Sequence, residues 1–300
     1  MNRVFIMCQK IVEINTNIRD RETIDLLAAS IMGIVIDRGQ SALDLIPEIL
    51  RKTNIISDNR SVLEVEHQEL NNYKEDKQLV NAKACVTRLF SFEGDKCFEK
   101  RYLIIPKNSI KTAPINTVEQ IIHELMHLLR FRNAVRDNDK IIFNEGLATK
   151  TIDLNSHITY RKNYMLEEAA NQHFAKRALN SLLSYSDEIT VTPLFTRINH
   201  DKPEYKSKIY DIYVKLFEKF MEDLNLNDLI EHTFISSSLP VERYFNTVMG
   251  DKEAFIKLSH YFNKLEQLLN NNQIDDAKKI IACILHDYNT FKNNTSYGTK

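Results

Sequence analysis

"EQIIHELMHLLRF", residues 119–131, places two histidines in an otherwise apolar run. His123 and His127 stand four apart, and Glu124 directly follows the first. Asn116 or Thr117 is a good N-cap, and Asn116 with Glu119 has the capping-box spacing. The spacing therefore predicts a helix from about Thr117 to about Arg130. Ile121, Ile122, Leu125, Leu128 and Leu129 form its apolar side. Residues four apart share a helix face, about 5–6 Å apart at Cβ, so both imidazoles can converge on one metal ion. Zn²⁺ takes imidazole nitrogen at about 2.0–2.1 Å, which this spacing suits. Glu124 is turned about 100° from His123. It cannot easily join the same coordination sphere, but it can reach a water on the metal.

Outward from this helix, "FNEGLATK" (143–150) offers a third donor in Glu145. The stretch "RNAVRDNDK" (132–140) reads as a turn-rich surface loop, and "NEGLATKTIDL" as a short helix with Glu145 near its start. Helix, reversing loop and second helix would then bring Glu145 beside the histidines. Gly146 removes side-chain bulk where the two helices must approach.

On the N-terminal side, "NAKACVTRLFSF" (81–92) and "CFEKRYLIIP" (97–106) are rich in strand formers and flank the turn signal "EGDK" (93–96), which predicts a β-hairpin. "RETIDLLAASIMGIVIDRG" (21–39) and "SALDLIPEILRKT" (41–53) read as helices, and 57–60 and 71–78 as polar loops. Beyond residue 150 the pattern is helical almost to the end. In "SKIYDIYVKLFEKFMEDL" (207–224) apolar residues recur at helical spacing, marking one buried face. Segments 252–271 and 274–288 read as a closing helical pair joined by "NNNQ", and the tail 291–300 as disordered.

The fold class expected is α+β: an N-terminal mixed region with a β-hairpin next to the zinc-binding helix, then a mainly α-helical C-terminal region. The divisions expected are 1–80, mostly helical; 81–155, the catalytic core; and 156–290, the helical C-terminal part. The chain has 300 residues, 43% hydrophobic and 27% charged, with a formal net charge of −1. That balance suits a globular core and gives no electrostatic signature of a nucleic-acid binder. The run "LLAASIMGIVI" (26–36) is far short of the roughly 20 residues needed to span a bilayer. No secretory signal is evident. Cys8, Cys85, Cys97 and Cys283 are scattered without C-x-x-C, which suggests reduced thiols. The expectation is a cytoplasmic protein that binds neither nucleic acid nor membrane.

"HELMH" followed by "NEGLA" resembles the gluzincin metallopeptidases, particularly those with an E-G-x-A third-ligand motif. The motif-bearing likeness covers about residues 97–150, with a looser one to about 235. It implies one Zn²⁺ per chain, held by His123, His127 and Glu145, with Glu124 as general base and a peptide or protein as substrate. It also implies that "RYLIIP" (101–106) is an edge strand to which an extended peptide could add. Some gluzincins carry an acidic residue four after the third ligand. Thr149 stands there in this chain, so a hydroxyl or another carboxylate must orient the histidines. Metzincins need Gly and His where this chain has Arg130 and Asn133, and the setting of Cys97 does not fit a peptide deformylase.

Gluzincins usually steady the oxyanion with a Tyr or His from the downstream helical part. Tyr210 lies on the flank of the 207–224 stripe and is the candidate, while Tyr213 lies within the stripe and reads as core. Tyr205, His157 and His173 are weaker candidates. The functional expectation is a zinc metallopeptidase, with an endopeptidase favoured over an aminopeptidase. The alternative is a zinc-binding regulatory or interaction protein: a repressor-cleaving regulator or a peptidase homologue without turnover. The sequence leaves the oligomeric state open.

Overall fold

The computed structural model describes residues 62–65, 84–93, 96–106, 115–130, 132–156, 158–185, 210–226, 229–230, 233 and 238–296. The helices expected at 21–39 and 41–53, the loops at 57–60 and 71–78, and His157 and Tyr205 lie outside them. The described residues mix strands with a larger helical share, an α+β composition. The chain divides into two compact units: Met1–Arg130 with Asn171–Ile209, and Phe131–Ala170 with Tyr210–Lys300.

In the first unit, β1 (Val62–Val65), β2 (Cys85–Glu93) and β3 (Lys96–Pro106) form a three-stranded sheet in the order β1-β3-β2. The expected hairpin is present, with β2 antiparallel to β3 from Cys85↔Ile104 to Glu93↔Lys96. The edge expected of 101–106 is not. β1 runs parallel to β3 from Val62↔Leu103 to Val65↔Pro106, so β3 is the central strand and its far side is already paired. Strand formers identify a strand but not its neighbours, because pairing partners come from distant sequence.

Helix α1 (Ile115–Leu129) packs near β2 and β3. It starts about a turn's fraction earlier than the cap residues suggested, so Asn116 and Thr117 are first-turn residues rather than caps. Its apolar residues Ile121, Ile122, Leu125 and Met126 are buried, as is Leu103 of β3.

The second unit opens with a four-stranded antiparallel meander in the order β4-β5-β6-β7: β4 (Arg132–Asp137), β5 (Lys140–Glu145), β6 (Ala148–Asp153) and β7 (Thr159–Lys162). This corrects two expectations. Residues 132–140 are not a surface loop but a strand and a tight turn, and "NEGLATKTIDL" is not a helix but two strands around a turn. Ile141, Ile142, Thr149, Thr151 and Ile152 are β-branched and suit a pleated surface. Each two-residue turn places a residue with positive φ first: Asn138 at 52° and Gly146 at 51°. Two-residue hairpins require that conformation there.

Helix α2 (Tyr164–Tyr185) follows, and runs unbroken through the division between the units. Then come α3 (Asp211–Asp223), α4 (Leu239–Val248), α5 (Ala254–Asn270) and α6 (Ile274–Ser296). The expected stripe on α3 is buried at Tyr213, Leu216, Phe217, Phe220 and Met221, but the helix starts at Asp211 rather than 207. Helices α5 and α6 are the expected closing pair. The latter continues to Ser296, so part of the expected disordered tail is helical. No described helix is long and apolar enough to cross a membrane.

Candidate metal centre

Helix α1 carries His123 and His127 on one face, with ring centroids 5.0 Å apart and an edge-on arrangement. His123 is 6% exposed, while His127 and Glu124 are half-buried. Helix α2 supplies what faces them. Its Gln172 Nε2 donates to Glu119 of α1 in a short hydrogen bond, and Arg130 Nε donates to Asn171 Oδ1 at 2.9 Å. The Asn171 amide nitrogen lies 3.0 Å from His127 Nδ1. The Arg130 guanidinium sits 5.4 Å from the centre of the Phe174 ring. Asn171 and Gln172 thus register one helix against the other through fully buried polar groups, which must be bonded to be tolerated.

One turn before Asn171 on the same unbroken helix stands Glu168. His123, His127 and Glu168 each offer a ligand atom, and these atoms lie within 4.8 Å of one another. Among the described residues this is the cluster of donors able to hold a metal. Two imidazole nitrogens and a carboxylate oxygen are a zinc donor set of the kind that leaves a fourth position open. The donor chemistry therefore fits the expected ion.

Glu145 is not a member of the cluster. It ends β5, on the strand's buried side with Ile141 and Phe143, and is 9% exposed. Its neighbour Gly146 turns the chain beneath Glu167. There the Leu147 N–H donates to Glu167 Oε2 at 2.6 Å, and Asn163 Nδ2 donates to the Leu147 carbonyl at 3.2 Å. "NEGLA" therefore makes a hairpin turn that grips the first turns of α2, the helix bearing Glu168. Thr149 has also found a local role: its hydroxyl donates to Asn144 Oδ1 at 3.1 Å across the hairpin. Asn171, by contrast, reaches His127.

Glu168 has a partner on its own helix. The Tyr164 hydroxyl, one turn earlier, bonds to its carboxylate, and the Arg161 guanidinium lies 4.9 Å from the centre of the Tyr164 ring. Burial, with the Glu168 charge second, holds the Tyr164 phenol well above its usual range. The Tyr210 phenol adds, more weakly, to that upward shift of Tyr164. Tyr210 itself is held at φ 49° just before α3, a left-handed conformation costly for an aromatic residue. Tyr213 is buried against Phe262, with ring centroids 5.9 Å apart, as expected for core. His173 packs edge-on against Phe174 on α2.

Glu168, Asn171 and Tyr164 were not among the residues expected from sequence. They follow one another at helical spacing, at 164, 168 and 171, and the structure buries every residue from Met165 to Gln172. Compared with family models, curated proteins and solved structures, the chain matches none.

Proposed function

We propose that this protein is a zinc-dependent peptidase whose metal donors are His123, His127 and Glu168. The convergence within 4.8 Å of two imidazoles from α1, the helix that also carries Glu124, and a carboxylate from α2 supports this reading above all. The likeness of "HELMH" to the gluzincin motif supports hydrolysis of a peptide bond in particular. A zinc ion held by such a set acts as a Lewis acid and makes water a nucleophile near neutral pH. The chain's own groups would do the rest. The Glu124 carboxylate accepts the proton from water and returns it to the leaving amine. Tyr164 occupies one side of the Glu168 carboxylate, so that group is oriented as a ligand rather than left to rotate. Tyr210 offers a hydroxyl to the developing oxyanion.

Incubating the purified protein with a mixed peptide library, with and without a zinc chelator, tests the reading. Cleavage abolished by the chelator and restored by zinc is the expected result. A folded, zinc-loaded protein that cleaves nothing would instead mark the centre as part of a binding or regulatory protein.

A further inference from the structure

The register of the meander sets Lys150 of β6 directly opposite Arg161 of β7. Directly opposed residues of antiparallel strands point to one face, with Cβ atoms about 4.5–5.5 Å apart. The same row continues into Phe143 of β5, which is 1% exposed, so both cations stand on the buried side of the sheet. Both are half-buried. Arg136, paired with Ile141, shares that side, and so does one carboxylate, Glu145. Of the carboxylates on α2, Glu167 accepts the Leu147 N–H and Glu168 belongs to the donor cluster. Like charges directly opposite one another cost stability, and a charge drawn from water calls for an anion beside it. This side of the sheet is thus built with a positive balance. It also reaches the metal centre: the Arg161 guanidinium lies 4.9 Å from the centre of the Tyr164 ring, whose hydroxyl bonds to Glu168. A single phenol ring separates the guanidinium from a metal donor.

We propose that Lys150 and Arg161 form a carboxylate-binding subsite beside the metal centre, which selects peptides with a carboxylate close to the scissile bond. The inference rests on the peptidase reading of that centre and narrows its substrate class. A guanidinium meets a carboxylate through two parallel N–H bonds, and an ammonium adds a point charge. With five and three N–H donors, the two groups have capacity for a further acceptor beside partners within the chain. Stacking on Tyr164 fixes the plane of the guanidinium. An extended peptide advances about 3.3–3.6 Å per residue, so the carboxylate recognised lies about one or two residues from the reacting carbonyl. The C-terminal carboxylate of a short peptide and an Asp or Glu side chain offer the same chemistry.

Equilibrium binding of dansyl-labelled peptides to the full chain tests this, with a chelator present so that no peptide is cleaved. The probes are dansyl-tetra-alanine with a free C-terminus, its C-terminal amide, and that amide with Glu or Gln at the third position. At least one carboxylate-bearing peptide should bind about tenfold or more tightly than its amide counterpart, the ratio expected for a hydrogen bond to a charged group. Preference for the free C-terminus identifies the α-carboxylate as the ligand, and preference for Glu over Gln identifies the side chain. Lys150→Met and Arg161→Met should each reduce the preference by about tenfold and leave affinity for the amide peptides unchanged. The lysine variant leaves the Tyr164 stack intact and covers the case in which the arginine variant does not fold. Equal binding of carboxylate and amide peptides overturns the proposal, as does a preference that survives Lys150→Met. The measurement involves no turnover: a chain that prefers carboxylates yet hydrolyses nothing keeps the subsite and loses the peptidase reading.

Discussion

Gly146 and the carboxylate of Glu167 compete for one space: a Cβ at position 146 would overlap both Glu167 oxygens. The carboxylate is there because it accepts the Leu147 N–H. Glycine is thus required at 146 both by this contact and by its φ of 51°.

Gly146→Ala should accordingly lower stability by about 1–3 kcal/mol, the usual range for a strained backbone position. Denaturant titration would register this as a lower midpoint at unchanged slope. In a Glu167→Ala background the overlap is gone, and the same exchange should cost only the backbone share, about 1–2 kcal/mol. Equal costs in both backgrounds would mean that Glu167 does not press on the turn.

The two candidate carboxylates can be separated by metal content. Glu168→Ala, His123→Ala and His127→Ala should each lose the single zinc expected per chain, measured by elemental analysis after dialysis. Glu145→Gln should keep it, because Glu145 is outside the donor cluster. Zinc lost from the Glu145 variant and kept by the Glu168 variant would reverse the assignment.

How much of this was legible in the sequence follows from the range of each interaction. The α1 helix and its paired histidines were readable, because their spacing is local and the helix is amphipathic. The β2–β3 hairpin and the α5–α6 pair were readable for the same reason, with turn signals between periodic segments. "NEGLA" misled because the motif's likeness outweighed its local chemistry. Gly after Glu145, followed by Thr149, Thr151 and Ile152, already fits a tight turn and a strand. Glu168 and Asn171 were hidden because "LEEAANQHF" reads like the solvent face of a helix. Glu167, Glu168, Asn171 and Gln172 are instead all at most 4% exposed. The partners of Glu167, Asn171 and Gln172 lie between 20 and 53 residues away, at Leu147, His127, Arg130 and Glu119, and no local pattern announces them.

Glu124 lies on α1 beside the two histidines but is not one of the three clustered donors. Glu124→Gln preserves shape but cannot accept a proton. The variant should keep its zinc and lose turnover by about 10²–10⁴, the range attributed to general acid–base catalysis. Parallel metal analysis and peptide cleavage would check both halves. Near-normal cleavage by this variant would require another base.

Tyr210 and Tyr213 form a matched pair for the last prediction. Their rings lie 6.2 Å apart, three residues apart at the start of one helix. They differ in setting: Tyr213 is buried, and burial raises its phenol well above the usual range, whereas Tyr210 is half-buried. Tyr210 is also the one of the two held in a left-handed conformation, and strain of that kind persists where the surrounding structure fixes it. A phenol that donates to an oxyanion only in the transition state lowers the barrier without tightening ground-state binding. Tyr210→Phe should then reduce kcat by about 10²–10³ with KM little changed, the loss typical of one oxyanion donor. The exchange keeps the ring and the backbone conformation, so stability should hardly move. Tyr213→Phe should leave kcat near wild type and alter stability by about 1 kcal/mol or less. Steady-state kinetics on the two variants decides between the faces: a Tyr210→Phe enzyme with wild-type kcat removes this residue from the chemistry, and a large loss at Tyr213 would transfer the role to the buried ring.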